Sequence, residues 1–138
     1  MNRIKLYNIV DLANARSGLL RPDEVRSLEI EALVDTGATM LALPQDVASA
    51  LGLPHVDRRN VRLADGSVRE VEMVGDLRVE ILGRSMACDA LVLPVGATTL
   101  IGQMQLEALD LIVDAKSRSV AVNPASPDTP LLDLLRVS

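Results

Sequence analysis

The chain has 138 residues, which is enough for one compact domain and too few for a two-lobed enzyme with a cleft between its lobes. Its apolar fraction of 49% favours globular folding over disorder. Fourteen basic and nineteen acidic residues give a net charge of −5, which would repel a phosphate backbone. Tyr7 is the only aromatic residue among Phe, Trp and Tyr, so bases have almost nothing to stack on. We therefore expect no nucleic-acid partner.

Single copies of cysteine and histidine exclude several kinds of site. Cys88 is the only cysteine, so neither an intrachain disulfide nor a thiolate zinc cluster can form. Its alanine neighbours predict a small buried side chain rather than a nucleophile. His55 is the only histidine, and no Gly-x-Ser-x-Gly motif accompanies it, so we interpret it as an exposed loop residue. Metal sites and catalytic triads that depend on histidine are excluded.

The chain shows no targeting or membrane-spanning pattern. Charged and amide side chains are spread through its first residues, which lack the apolar core of a signal peptide. The longest uncharged stretch, residues 90–106, is interrupted by Pro94, Gly96 and Gly102. It is shorter and more polar than the ~20 apolar residues of a membrane span. We expect a cytoplasmic protein with no membrane partner.

Short apolar segments of period two, separated by turn residues, predict a β-rich domain. The first strands are predicted over residues 4–10 and 25–34, with a polar connection between them. The second strand loses its polar face near its end, so we expect it to finish buried on both faces. Pro44 and Gly52 bracket a short helix predicted over residues 45–51.

A β-hairpin is predicted next, because Asp65-Gly66 lies between two alternating segments, 61–63 and 68–74. Further strands are predicted over residues 76–82, 86–93, 111–113 and 119–123. Between the second and third of these, a loop over 94–99 leads to a short helix over 103–109. We divide the chain into a domain over residues 1–123 and a proline-containing arm over 124–138, whose apolar residues 131–137 would pack on this subunit or on a partner.

The most informative motif is Asp35-Thr36-Gly37, at the end of the predicted 25–34 strand. Burying an ionised aspartate without partners is costly, so its position needs an explanation. Taken alone, the motif is most simply a turn in which Asp35 caps backbone amides. Asp35, Gly37 and Thr39 also match the D-x-G-x-T phosphate loop of actin-like sugar kinases, but those enzymes require two large domains. Haloacid-dehalogenase-type phosphatases require a second aspartate where Gly37 stands, so both enzyme classes are excluded.

Several further features occur around the motif in a particular order. They are the apolar strand ending in Val34-Asp35-Thr36-Gly37-Ala38-Thr39, the segment Leu41-Ala42-Leu43-Pro44, the helix end Ala50-Leu51-Gly52-Leu53, the hairpin Ala64-Asp65-Gly66-Ser67, and Leu100-Ile101-Gly102 before a short helix. In this order the chain resembles the retropepsin-like aspartic proteases over residues 25–123, in particular their small single-domain bacterial and cellular relatives. The resemblance implies an all-β closed barrel with one or two short helices, assembled as a homodimer.

The resemblance also implies an aspartic endopeptidase in which Asp35 and its twin from a second subunit hold one water. Two carboxylates ~3 Å apart cannot both be ionised, so one acts as base and the other as acid, and neither a metal nor an organic cofactor is needed. The chain contains no second Asp-Thr-Gly, which is why the second aspartate is assigned to a partner. Asp110 and Asp114 are interpreted as surface or turn residues.

Roles for the neighbouring residues follow from the same resemblance. With Asp35, Thr36 and Gly37 form the catalytic loop: the Thr36 hydroxyl would bond across the interface, and the Gly37 carbonyl would accept a substrate amide. Gly102 would let the chain cross closely beneath this loop. The hairpin tip would close over an extended peptide substrate, and loop 94–98 would line side-chain pockets. The expected substrate-binding residues are Ala38, Thr39, Asp65, Gly66, Ser67, Val95, Gly96 and Ala97.

Two departures keep a second class of function open. Thr39 and Gln103 stand where retroviral members carry an acidic residue and an arginine that support the dimer, and the hairpin tip has a single glycine. The alternative is a catalytically inactive module that uses the same barrel for dimerisation or peptide binding, and a third option is one half of a hetero-assembly. The intact Asp-Thr-Gly-Ala favours the enzyme, because an inactive module has no reason to keep a costly carboxylate pair.

Overall fold

The computed structural model describes residues 1–134. This part of the chain contains nine strands, three short α-helices and one 3-10 turn (Pro22–Glu24), joined by loops. In chain order they are β1 (Asn2–Asn8), α1 (Ile9–Arg16), β2 (Ser27–Val34), β3 (Ala42–Pro44), α2 (Gln45–Ala50), β4 (His55–Arg62), β5 (Val68–Ile81), β6 (Arg84–Leu93), β7 (Thr99–Ile101), α3 (Gln103–Ala108), β8 (Leu111–Asp114) and β9 (Ser119–Val122).

Six strands form a closed barrel. Their order is β1-β2-β7-β3-β6-β5, and β5 pairs again with β1 to complete the ring. β4 lies outside the ring and pairs only with β5, so the β4–β5 hairpin extends from the barrel. β8 and β9 form a separate two-stranded sheet. The predicted mostly-β closed barrel is confirmed.

The barrel interior is aliphatic, as the near absence of aromatic residues requires. Its fully buried side chains include Leu6, Leu41, Leu77, Ile81 and Ile101. Each side chain of this kind stabilises the fold by roughly 1.5–3 kcal/mol relative to full exposure. The core therefore consists mainly of aliphatic side chains from β1, β5, β7 and the segment that enters and forms β3, with further contributions from α2, α3, β8 and β9.

The N-terminal segment differs from the prediction, because β1 ends at Asn8 and α1 follows at once. The Asn8 side chain accepts a hydrogen bond from the Asp11 amide (3.0 Å), which caps the helix and stops the strand. The polar connection predicted after residue 10 is thus partly helical, and the α-helices within residues 1–134 number three rather than one or two. The Asp11 carboxylate binds the Arg26 guanidinium through two hydrogen bonds (2.8 and 3.1 Å), which holds α1 against the start of β2.

The segment predicted as two strands over 68–74 and 76–82 is the single strand β5, with a register shift between Val74 and Leu77. Asp76 has a φ of 54° within this bulge. The prediction for His55 was also wrong, because His55 begins β4 and pairs with Val74 instead of lying in a loop. Its side chain is half exposed, as expected for a strand outside the barrel.

The end of β2 is not buried on both faces, contrary to the sequence prediction. Ala32 is fully buried, whereas Leu33 is 36% exposed and Val34 is half-buried. The reason is the barrel itself, since side chains of a strand point alternately into and out of a single-layer wall. Leu33 points outward, and none of the elements within residues 1–134 covers it completely.

Arg84 and Asp110 hold the segment that follows β9. The buried Arg84 guanidinium donates hydrogen bonds to the carbonyls of Leu109 (3.0 Å), Asp110 (2.9 Å) and Ser126. The Asp110 carboxylate accepts hydrogen bonds from the Ser126 hydroxyl, the Asn123 amide (2.9 Å) and the Leu131 backbone amide (3.0 Å). These hydrogen bonds lower the pKa of Asp110 to about 2. Asp110 lies in a turn, as predicted, and it also anchors the following chain.

Beyond this anchor, Leu131, Leu132 and Leu134 are exposed, so this part of the predicted arm does not pack on its own subunit. The remainder of the apolar segment predicted over 131–137 lies outside the described residues. The boundary between domain and arm at residue 123 stays a prediction.

Candidate active site

Two parallel strands place Asp35 and Gly102 at the same end of the barrel. β2 and β7 pair in parallel register, with Val34 opposite Ile101, so the two residues that follow leave the sheet side by side. The Asp35 amide donates to the Ile101 carbonyl (3.1 Å), which continues the pairing by one residue. The catalytic loop predicted after β2 therefore begins against β7.

The loop over residues 35–39 is a tight turn organised by Asp35. Its Oδ1 accepts a hydrogen bond from the Gly37 amide (2.9 Å), and its carbonyl accepts one from the Ala38 amide (3.0 Å). The carboxylate thus caps local amides, as the simple turn interpretation predicts. Its second oxygen, Oδ2, makes no hydrogen bond within residues 1–134, and the residue is half-buried. One carboxylate oxygen is therefore fixed while the other is free to bind a water.

Glycine is required at Gly102, where the chain passes next to the loop over residues 35–39 and reaches Met40. A β-carbon there would lie 2.5 to 2.6 Å from the backbone N, Cα and C atoms of Met40. The first amides of α3 donate to the loop, from Gln103 to the Ala38 carbonyl (2.8 Å) and from Met104 to the Thr39 carbonyl (2.9 Å). The close approach expected at Gly102 is present, and it lets α3 support the loop from beneath.

The β4–β5 hairpin carries the three predicted tip residues, all of them exposed. Gly66 has a φ of +85°, and the Asp65 carboxylate accepts hydrogen bonds from the Ser67 hydroxyl (2.5 Å) and the Ser67 amide (2.9 Å). These bonds lower the pKa of Asp65. The tip is consequently a defined turn that stays charged in weak acid.

The predicted pocket loop after β6 is a second exposed turn. Gly96 has a φ of +86°, and the Ala97 amide donates to the Pro94 carbonyl (3.1 Å). Val95 is 69% exposed at its apex, and the chain then enters β7 through the buried Thr99. This turn leads directly into the strand that pairs with β2.

The structure brings the predicted site residues together only in part. Residues 35–39 form one hydrogen-bonded unit with the start of α3. Within residues 1–134, no hydrogen bond joins this unit to the hairpin tip or to the turn at 94–97. The Thr36 hydroxyl, on an exposed residue, also has no hydrogen-bond partner in the described part of the chain.

Sequence reasoning missed a cavity of about 610 Å³ beside this loop. Four of the five methionines line it, namely Met40, Met73, Met86 and Met104, together with Cys88 and Gln105. Burial and the neighbouring Asp89 carboxylate raise the pKa of the Cys88 thiol to about 12. No local sequence pattern could have revealed this cavity, because its lining comes from elements distant along the chain.

Two kinds of feature are absent from residues 1–134. No group of three or more His, Cys, Asp and Glu side chains is placed there to hold a metal ion. No helix in that part of the chain has the length and apolar character needed to cross a membrane.

Comparison with known proteins places the chain in a family. The family model described as gag-polyprotein putative aspartyl protease matches residues 24–108, which is more than half of the chain. No curated protein matches the chain significantly. The matched span begins just before β2 and ends with α3, so it contains the loop over residues 35–39, the β4–β5 hairpin and Gly102. The chain belongs to the family of gag-polyprotein-type, retropepsin-like aspartyl proteases.

Proposed function

We propose that this protein is an aspartic endopeptidase that acts as a homodimer, with one Asp35 from each subunit holding the attacking water. The observation that carries the proposal is the state of the Asp35 carboxylate. Oδ1 is fixed by the Gly37 amide, and Oδ2 has no hydrogen bond within residues 1–134. Family membership supports the same chemistry.

A second subunit is proposed because one carboxylate cannot supply both acid and base. The 138 residues contain one Asp-Thr-Gly, and two-fold symmetry would place its copy opposite the first. The exposed Thr36 hydroxyl is available to bond across such an interface. The outward-facing Leu33 would lose water contact there as well.

In the proposed reaction the ionised aspartate takes a proton from the water as it attacks the scissile carbonyl. The protonated aspartate donates to the carbonyl oxygen, so charge does not accumulate on the tetrahedral intermediate. The Gly37 carbonyl accepts no hydrogen bond within residues 1–134, which leaves it available for a substrate amide. The carbonyls of Ala38 and Thr39 are already used by α3, so these residues would contact substrate through their side chains.

The hairpin tip and the turn at 94–97 are proposed to cover the peptide and line its pockets. Asp65, Gly66 and Ser67 would pair with the extended substrate, and Val95, Gly96 and Ala97 would contact its side chains. We also retain a cytoplasmic location and a C-terminal arm over 124–138 as proposals from the sequence. Neither a metal nor an organic cofactor takes part in the proposed reaction.

A non-catalytic peptide-binding module is the second candidate. It is favoured by one observation, the presence of Thr39 and Gln103 where an ion pair would strengthen a dimer. In this chain the backbone amide of Gln103 donates a hydrogen bond to the Ala38 carbonyl, which supports the loop without any ion pair. The loop is therefore held in place within one subunit.

The experiment compares wild type with Asp35→Asn on an unstructured protein substrate from about pH 3 to about pH 8. The asparagine side chain introduced by this substitution would keep an oxygen for the Gly37 amide, so the loop should stay folded while the carboxylate is lost. We expect cleavage by wild type only, weakening at high pH as the shared proton is lost. A folded wild-type dimer that cleaves nothing across this range would favour the peptide-binding module.

A further inference from the structure

The cavity beside the catalytic loop has an unusual lining for this chain. Met40 and Met104 border it on the side of the loop and of α3, and Met73 and Met86 border it on the barrel side. The Met104 amide bonds the Thr39 carbonyl, so the cavity adjoins the loop that starts at Asp35. A volume of about 610 Å³ lies within the ~300–1,000 Å³ range of ligand pockets.

The chemistry of this lining favours an aromatic guest. Methionine side chains are flexible and polarisable, and their sulfur atoms make favourable contacts with aromatic rings. The Cys88 thiol stays protonated, so the sulfur atoms that line the cavity are uncharged. The chain cannot fill the cavity with an aromatic ring of its own, because its only one, Tyr7, is held in β1 and borders a different cavity.

Polar and charged groups also line the cavity. The Gln105 side chain is fully buried, and its Nε2 has no hydrogen-bond partner within residues 1–134, while its Oε1 accepts from the Gly102 amide (3.2 Å). Because the Gln105 side chain has no exposed surface, Nε2 is enclosed behind the cavity lining and is not presented to a ligand. Asp76 and Asp89 lie exposed at the rim, and neither forms an ion pair within the described residues.

The remaining charged group of the lining, Arg59, is already paired with Asp57 (3.2 Å). The uncompensated charge at the rim is therefore negative, and a basic group complements it. A second copy of this chain has no free aromatic ring to offer, because its only one, Tyr7, is held in β1. An external peptide can supply both an aromatic ring and a basic group.

We propose that the methionine-lined cavity binds an aromatic side chain of an extended peptide that carries Lys or Arg next to the aromatic residue. The inference rests on the proposed function only in treating that peptide as a substrate. It defines a specificity pocket lined by Met40, Met73, Met86 and Met104, with Asp76 and Asp89 selecting the neighbouring basic residue.

Binding is tested with Asp35→Asn protein, so that no peptide is cut during the measurement. The probe is an alanine-based peptide containing Trp-Arg. Because the chain has no tryptophan, tryptophan emission reports the peptide alone. A matched Trp-Glu peptide is titrated in the same way, and a Leu-Arg peptide is measured by displacement of the Trp-Arg probe.

We expect Trp-Arg to bind roughly 2- to 12-fold more tightly than Leu-Arg, the range that one sulfur–aromatic contact supports. It should bind roughly 2- to 5-fold more tightly than Trp-Glu, as for a partly exposed charge pair. Met104→Ala should remove most of the preference for Trp over Leu, since Met104 is a half-exposed rim residue whose truncation leaves α3 intact. Ile112→Ala, at a similarly exposed apolar site outside the cavity, should leave the preference unchanged.

Equal affinity for the Trp-Arg and Leu-Arg peptides would overturn the proposal. So would equal preferences in Met104→Ala and Ile112→Ala. If the peptides bind with the expected preferences but wild type cleaves none of them, the pocket assignment stands and the proposed peptidase function fails.

Discussion

Replacing Gly102 with alanine tests how closely the loop that begins at Asp35 is packed against the chain that enters α3. Gly102 has a φ of −96°, which alanine adopts without strain, so in the folded state the substitution changes only the space occupied. The added β-carbon would lie 2.5 Å from the N and C atoms of Met40 and 2.6 Å from its Cα. Non-bonded carbons settle at ~3.5–4.0 Å, so the Met40 backbone has to move by about 1 Å.

The cost of that movement can be worked out from its parts. Overpacking of a tight contact costs roughly 1–3 kcal/mol. The two hydrogen bonds donated by Gln103 and Met104 to the loop are worth roughly 1 kcal/mol each and would be strained or lost. Alanine also lowers the conformational entropy of the unfolded chain, which offsets roughly 0.4–1 kcal/mol of this loss of stability. If both hydrogen bonds are lost, we expect the free energy of unfolding to fall by about 2–5 kcal/mol.

The assay is urea unfolding of wild type, Gly102→Ala and the matched control Gly83→Ala. Gly83 has a φ of +79° and open space around its Cα, so alanine there meets backbone strain without any clash. That strain costs roughly 1–2 kcal/mol, partly offset by the unfolded-state term. A loss at Gly102 no larger than the loss at Gly83 would refute the reasoning, because it would mean that Met40 yields freely.

Two further predictions concern the chain end and the dimer. The pKa of Asp110 is about 2 in the folded chain, below its ordinary value of 3.8. Its contribution to stability is therefore complete above pH 3.8 and is lost as the pH falls toward 2. Asp110→Asn should reduce this acid-induced loss of stability in thermal unfolding measured across pH, and an unchanged loss would contradict the assignment. Thr36→Val should weaken the proposed dimer by roughly 2- to 13-fold in sedimentation without changing monomer stability, whereas an unchanged dissociation constant would exclude the bond across the interface.

The part of the fold predicted from the sequence is the part with strong local signals. Alternating segments predicted most of the strands, and Pro44 and Gly52 bracketed α2 because their backbone preferences act within a single turn. Gly102 was recognised through the ordered motif around it, and the structure supplies its physical reason in the contact with Met40.

The features that were missed depend on contacts made by the folded chain. α1 has little amphipathic character, and it forms because Asn8 caps it and Arg26, ten residues beyond the helix, binds Asp11. β5 continues through a bulge that looked like a strand boundary, since only pairing with β6 shows that it is one strand.

The candidate site likewise has features that the sequence predicts and features that it does not. The position of Asp35 follows from the end of an apolar strand, which the sequence displays directly. The exposure of Leu33 depends on the curvature of the barrel wall and on what covers its outer face, neither of which is local. The methionine-lined cavity is formed by Met40, which follows the loop over residues 35–39, and by residues of β5, β6 and α3, so no window of sequence contains it.

The central claim is that catalysis needs one Asp35 from each of two subunits, and mixing wild type with Asp35→Asn tests it most directly. The total protein concentration is held constant and the subunits are allowed to exchange before peptide cleavage is measured. If both carboxylates are required, activity follows the square of the wild-type fraction, so an equal mixture keeps about one quarter of it. A linear fall, with about one half retained, would show that a single subunit is sufficient and would contradict the account.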